Sequence, residues 1–212
     1  ACGIEDVTPD AIGAATTAQL DAGIDAWLHL AEALREPELS AQVRAAGEAL
    51  VSSLAAGGKV LVAGNGGSAA IASHVAAEFI GKCIHDRAPL PAVNLAESLS
   101  SITAIGNDYG YEHLFARQID ALGRAGDLFI GITTSGNSKN VIAAVEAAHK
   151  RGISTVALCG AAGRLKDLCR YALCAPSTHT PRIQESHILI GHILCALCEE
   201  AMFPEHKPQP GA

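Results

Sequence analysis

The sequence predicts an α/β fold: a five-stranded parallel sheet covered by helices on both faces, an α/β/α sandwich. Three observations carry that expectation. From Gly57 onward, short β-like runs alternate with helical ones, and such alternation implies crossover connections and parallel strands. The runs are apolar with little in–out alternation, as strands buried on both faces require. Hydrophobic residues make up 49% of the 212 but aromatics only 4%, so Ala, Val, Leu and Ile do the packing.

The elements follow in order. Thr16 to Leu34 and Leu39 to Leu54 place apolar residues at three- and four-residue spacings, with Glu36-Pro37 as the break between two helices. Trp27 reads as a packing anchor. Lys59 to Ala63 is the first strand, followed by a Gly-rich turn and a helix from Ala69 to about Gly81. Leu90 to Leu95 is the second strand, with a helix over Ser98 to Ile105. Asp127 to Ile132 is the third, then a polar turn and a helix from Asn140 to Arg151. Ser154 to Leu158 and Tyr171 to Cys174 complete the sheet, and a last helix runs from about Ile183 to Met202. The proline-containing tail after Phe203 is expected to fray. The chain is therefore expected to be a single domain: a helical segment over about 10–56, an α/β core over about 57–203, and a flexible tail over 204–212.

Bulk properties narrow the function. The net charge is −7 and no Lys/Arg run exceeds two residues, which speaks against a nucleic-acid partner. No signal peptide or stretch of membrane-spanning length is visible, so no membrane partner is expected. The seven cysteines (Cys2, Cys83, Cys159, Cys169, Cys174, Cys195 and Cys198) are odd in number and scattered, unlike a disulfide framework. Cys195 and Cys198 read as core residues of an apolar helix. A reducing cytoplasm fits all of this.

In parallel sheets ligands sit beyond the C-terminal strand ends, which nominates the loops after Ala63 and Ile132. The first is Gly64-Asn65-Gly66-Gly67-Ser68, whose glycines permit close approach to a ligand and whose Ser68 can cap the next helix. Without a ligand it would be a tight strand-to-helix turn. Gly64-x-Gly66-x-x-Ala69 also fits the loose dinucleotide fingerprint, but the acidic residue that should end the second strand is missing and Glu97 lies past it. No nucleotide cofactor is expected. The second loop offers Thr133, Thr134, Ser135 and Ser138 around Gly136 at a helix start. Such hydroxyls and N–H groups can wrap a phosphate, and without a Walker lysine they point to a sugar phosphate. Capping alone would need one hydroxyl.

These runs, Gly64-Asn-Gly-Gly-Ser68, Ile105-Gly-Asn-Asp-Tyr-Gly110 and Ile132-Thr-Thr-Ser-Gly-Asn-Ser138, with Arg182-Ile-Gln-Glu-Ser-His187 and Gly191-His192, resemble the sugar isomerase (SIS) domain family. Within it they are similar to the sedoheptulose-7-phosphate (phosphoheptose) isomerases, over roughly residues 50–203. The resemblance implies conversion of sedoheptulose 7-phosphate to D-glycero-D-manno-heptose 7-phosphate by a homotetramer with active sites between subunits, the N-terminal helices serving oligomerisation. It implies substrate contacts at Asn65, Gly66, Gly67, Ser68, Asn107, Asp108 and Gln184, a phosphate cradle of Thr133, Thr134, Ser135 and Ser138, and an acid/base pair of Glu78 and His192. It further implies a zinc site of His74, Glu78, Gln184 and His192. Ile71 stands where many relatives have Asp, Lys82 where some have Arg, Thr133 for Ser, and His179 where Asp is common.

The chemistry can be checked from the residues. Aldose–ketose isomerisation needs a base near the carbon proton and an acid near the carbonyl oxygen. His74 and Glu78, four apart on one helix, share a face about 6 Å apart along the axis. Apart from the loops, that pair would read as a surface ion pair or a core histidine with its partner. Gln184 and His192 are eight residues apart, a rise of about 12 Å on a straight helix, so they share an ion only if Gln184 precedes the regular helix or two chains contribute. His187 is the rival to His192. His29, His85, His113, His149 and His206 have no motif around them. The main competing function is a non-catalytic phosphosugar-binding protein, resembling the replication-initiator-associating relative, which lacks the catalytic Glu and final His. Others are an isomerase of a different sugar phosphate and an N-acetylmuramate-phosphate lyase.

Overall fold

The computed structural model describes residues 8–206; Cys2 and the tail from residue 207 lie outside the described residues. Two helices lead, α1 (Pro9–Ala33) and α2 (Pro37–Ala55), each with proline in its first turn, where a missing N–H costs nothing. The core then alternates β1 (Val60–Gly64), α3 (Gly67–Ile80), β2 (Ala92–Asn94), α4 (Leu99–Tyr109), α5 (Leu114–Leu122), β3 (Leu128–Thr133), α6 (Lys139–Lys150), β4 (Ser154–Gly160), a short α7 (Leu165–Leu168), β5 (Tyr171–Ala175) and α8 (Thr180–Met202).

All five strands are parallel, in the order β2-β1-β3-β4-β5. Every residue of β1 and β3 is buried. Alternate strand residues feed two cores. Val60, Val62, Leu128, Ile130, Ile132 and Val156 face one, with Leu50 of α2, Val75 and Phe79 of α3, and Ile190 and Leu194 of α8. Leu61, Ala63, Phe129 and Ala157 face the other, with Phe115 and Ile119 of α5 and Val141 and Val145 of α6. The chain leaves β1 toward β2 on one side and returns to β3 on the other. The crevice for a ligand therefore opens at the ends of β1 and β3, at Gly64 and Thr133.

Three differences from the sequence reading have physical reasons. Helix α5 was not foreseen; it is nine residues long, and Arg117, Gln118 and Asp120 interrupt its buried Leu114, Phe115 and Ile119. Ser68 does not cap α3: Gly66, at φ +55°, is the N-cap, and Ser68 lies inside the first turn, 4% exposed. Helix α8 begins at Thr180, so Gln184 lies in the regular helix. Cys195 and Cys198 are buried as expected, and Trp27 is half-buried in a cleft between α1 and the start of α8.

Candidate active site

Two helices meet to build the site. The close approach depends on Gly191, where an added Cβ would stand 2.7 Å from Val75 Cγ2, so α8 lies against α3. That contact sets His192 beside His74: their Nε2 atoms are 2.7 Å apart and the rings are edge-on at 73°. Glu78, one turn beyond His74, brings Oε1 to 3.6 Å from His74 Nε2. One donor atom from each of the three residues fits within 4.8 Å of the others. His74 is 46% exposed and Glu78 18%, so the triad lies on an open face of the chain. Two imidazoles and a carboxylate at this separation suit zinc.

The thiol of Cys83 adjoins the triad. Its Sγ lies 3.9 Å from the carbonyl oxygen of His192, and burial together with a hydrogen bond to the Glu78 carboxylate pushes it up to about 11. It stays protonated and acts as a donor.

The second cluster forms at the strand ends. Thr133 Oγ1 is 2.8 Å from Ser138 Oγ and 3.3 Å from Ser135 Oγ, so three of the expected cradle hydroxyls converge at the start of α6. Thr134 follows half-buried. Asn65 joins the two loops: its Nδ2 donates to Asn140 Oδ1 (2.9 Å), and Asn140 Nδ2 donates back to Asn65 Oδ1 (2.8 Å). Tyr111 adds its hydroxyl to Asn65 Oδ1 at 2.8 Å. A cavity of about 640 Å³ opens here, lined by Asn65, Tyr111, Glu112, Ser138, Lys139 and Asn140. Asn140 and Tyr111 were missed from sequence. Each stands just outside a recognised run, and the only available signal was position, Asn140 in the first turn of α6 and Tyr111 next to Gly110.

Gln184 packs against Gly67, beside the Gly-rich turn. With His192 eight positions further along the same regular helix, one of the two routes to a shared ion is closed, and a contribution from two chains remains. Asn107 and Asp108 are exposed on α4, where Asn107 Nδ2 donates to Asp108 Oδ1 at 2.8 Å. His187, the rival to His192, is fully buried and does not join the triad. Ile71 is 4% exposed and packs in the core, whereas Lys82 and His179 are exposed.

The SIS domain family matches residues 24–160. A phosphoheptose isomerase of Aneurinibacillus thermoaerophilus is 58% identical over 148 residues, 69% of this chain and 75% of that protein. The chain belongs to the phosphoheptose isomerase family. Solved phosphoheptose isomerases share its architecture. The one from Neisseria gonorrhoeae has a TM-score of 0.78 at 41% identity, covering 89% of this chain and 99% of its own. The one from Francisella tularensis has a TM-score of 0.81 at 37% identity, covering 87% and 98%. The fold alone would leave a phosphosugar-binding protein open. As a phosphoheptose isomerase relative that retains Glu78 and His192 within one donor cluster, the chain is an enzyme.

Proposed function

We propose that this chain interconverts sedoheptulose 7-phosphate and D-glycero-D-manno-heptose 7-phosphate. The observation that carries the reading is the convergence of His74, Glu78 and His192 where the helix that leaves the Gly-rich loop meets α8. The hydroxyls of Thr133, Thr134, Ser135 and Ser138 and the N-terminus of α6 hold the phosphate. Asn65, Gly66, Gly67 and Gln184 face the sugar chain, whereas Ser68, 4% exposed, is too buried to contact it. Anchoring the phosphate away from the reacting carbons lets binding energy orient C1 and C2. Glu78 and His192 then exchange protons with the sugar: one removes the proton from C1 while the other protonates the C2 oxygen, giving the enediol. Proton loss from the C1 oxygen and return of a proton to C2 complete the aldose.

His74, Glu78 and His192 fit zinc by donor type and separation, with Gln184 of a second chain as a fourth ligand. When bound there, zinc supplies Lewis-acid polarisation of the substrate carbonyl. A carboxylate offers two oxygens, so Glu78 serves as both ligand and proton-transfer group.

The working unit is a homotetramer with sites between subunits. Two features support this. Helix α1 spans 25 residues yet buries only Leu30, while Ile12, Leu20, Ile24 and Leu28 form an exposed apolar stripe. On the helices that carry the triad, Ile80, Ile188 and Ile193 are exposed, as is Ile84, and a second copy would cover them. Asn107 and Asp108, exposed on α4, are further proposed substrate contacts. No helix among the described residues is long and apolar enough to cross a membrane, and the cytoplasm is the proposed location.

The deciding assay compares sedoheptulose 7-phosphate with other ketose phosphates, using wild type, Glu78→Gln and His192→Gln. Turnover of the heptulose, abolished in both variants with the fold intact, is expected. Near-wild-type rates in either variant remove that residue from proton transfer.

A further inference from the structure

The segment 81–91 between α3 and β2 holds a buried ion pair outside the machinery described above. Arg87 and Glu199 have side chains 0% and 1% exposed, with Arg87 Nε 3.1 Å from Glu199 Oε1. The last carbonyls of a helix lack partners within it. Arg87 supplies them for α3: Nη2 donates to the carbonyl of Glu78 (2.8 Å), and Nη1 to those of Phe79 (2.7 Å) and Gly81 (3.1 Å). Glu199 meanwhile accepts the N–H groups of Cys83 (2.8 Å), Ile84 (2.9 Å) and His85 (3.1 Å).

The placement on the two helices matters. Arg87 grips the backbone of Glu78 itself. Glu199 lies seven residues beyond His192, about two turns along the same face of α8. The pair thus joins the turn that carries the carboxylate to the helix that carries the histidine. A buried ion pair is a poor route to stability, since apolar residues of equal volume serve as well or better. What such a pair does well is fix one geometry, because every donor and acceptor must be met at once.

We infer that Arg87 and Glu199 are positioning residues that hold Glu78 in register with His74 and His192. This rests on the triad being the reactive centre, as proposed above. A difference of an ångström in the carboxylate would spoil both its donor geometry and its reach to the substrate carbon.

The test uses Glu199→Gln, which keeps the shape but loses the charge, and Arg87→Lys, which cannot reach the carbonyls of Glu78 and Phe79 together. Lys59→Met is the control. It breaks a second ion pair, Lys59–Asp127 at 2.6 Å, whose aspartate is buried and whose lysine is partly exposed, at the opposite end of β1 from the site. Each protein is stripped of metal, titrated with zinc against a chromophoric chelator, assayed for kcat and KM, and melted. In both positioning variants zinc affinity and kcat are expected to fall about 10–100-fold, the range for residues that orient ligands, with KM nearly unchanged. Lys59→Met is expected to lower Tm while leaving zinc affinity and kcat as in wild type.

Wild-type zinc affinity and kcat in Glu199→Gln and Arg87→Lys would overturn the inference. So would an equal loss of zinc affinity and kcat in Lys59→Met at a matched loss of Tm, or failure of both positioning variants to fold. Glu78→Gln, run alongside, separates the two levels. Activity in Glu78→Gln defeats the proposed function, whereas an inactive Glu78→Gln beside normal positioning variants defeats only this inference.

Discussion

His74 Nε2 stands 2.7 Å from His192 Nε2 although 118 residues separate them in the chain. Two imidazoles so placed can share only one proton between them, and the Glu78 carboxylate adjoins the pair. The separation is that of a hydrogen bond, and the three residues together match a zinc ligand set by donor type. Stripping the protein with a strong chelator is expected to abolish turnover, and added zinc to restore it. His74→Ala is expected to lose zinc by more than the about 10–100-fold typical of outer-shell changes. Full activity in metal-free protein, verified by elemental analysis, would contradict this.

Asn140 is 2% exposed and meets Asn65 through two reciprocal amide bonds. Asn140→Asp removes the donor and sets an acceptor against Asn65 Oδ1. Leaving such buried groups unmet costs about 1–3 kcal/mol, or roughly tenfold to a hundredfold. The loss is expected in KM for the sugar phosphate, because Asn65 links the two substrate loops. Tyr111→Phe removes one exposed bond and is expected to change KM by less than about fivefold. Steady-state kinetics of the two variants checks both.

Most of this architecture was legible in the sequence because strands buried on both faces leave unbroken apolar runs, as over Leu128–Thr133. The loops were legible because phosphate chemistry concentrates glycine and hydroxyls in a few residues. Helix α5 was hidden because nine residues are too few for a helical period to repeat convincingly. Asn140 and Arg87 were hidden for another reason: an amide or guanidinium acquires its role only from partners distant in sequence, here Asn65 at 75 residues and Glu199 at 112. The face of Ser68 turned on one glycine dihedral, which no residue pattern reveals.

Cys174 and Cys159 face each other across paired strands with sulfurs 3.5 Å apart. Hydrogen bonding with Cys159 lowers the Cys174 thiol below the ordinary range, with Lys166 assisting against burial. The thiolate is the reactive species. Cys174 is therefore expected to be the first alkylated of the described cysteines at pH 8, with a rate that levels off at a lower pH than that of an ordinary thiol. Cys169 and Cys198, pushed up to about 12 chiefly by burial, are expected to remain unmodified in the native protein. Cys159→Ala removes the donor and is expected to move the midpoint upward. Peptide mapping after timed alkylation reads all of this.

The stripe on α1 gives a test of assembly. Ile24 is 49% and Leu28 59% exposed, one turn apart on the same face. The double variant Ile24→Glu/Leu28→Glu places two charges where a second copy is proposed to pack. Light scattering is expected to show smaller particles than wild type, with helical content retained. Activity is expected to fall at least about tenfold, since burying an unpaired charge at an interface costs several kcal/mol. An unchanged mass would free α1 from the interface.

His187 gives the pH dependence a sign. Its ring is fully buried, and neither nitrogen makes a well-formed hydrogen bond, although the backbone of Cys159 lies near enough to offset part of the burial. Burial lowers it from an ordinary 6.5 to about 4. Between those values the unfolded chain binds the proton and the folded chain does not, so stability rises with pH through that window. It is complete above about 6.5 and is lost as pH falls toward 4. At 1.36 kcal/mol per unit the loss is on the order of 3 kcal/mol. Replacing the ring with an apolar side chain of similar size, His187→Leu, removes the titration. Melting curves from pH 4 to 7 are expected to show a shallower acid-side decline in His187→Leu than in wild type. Parallel declines would mean that His187 is protonated, or reached by water, in the folded protein.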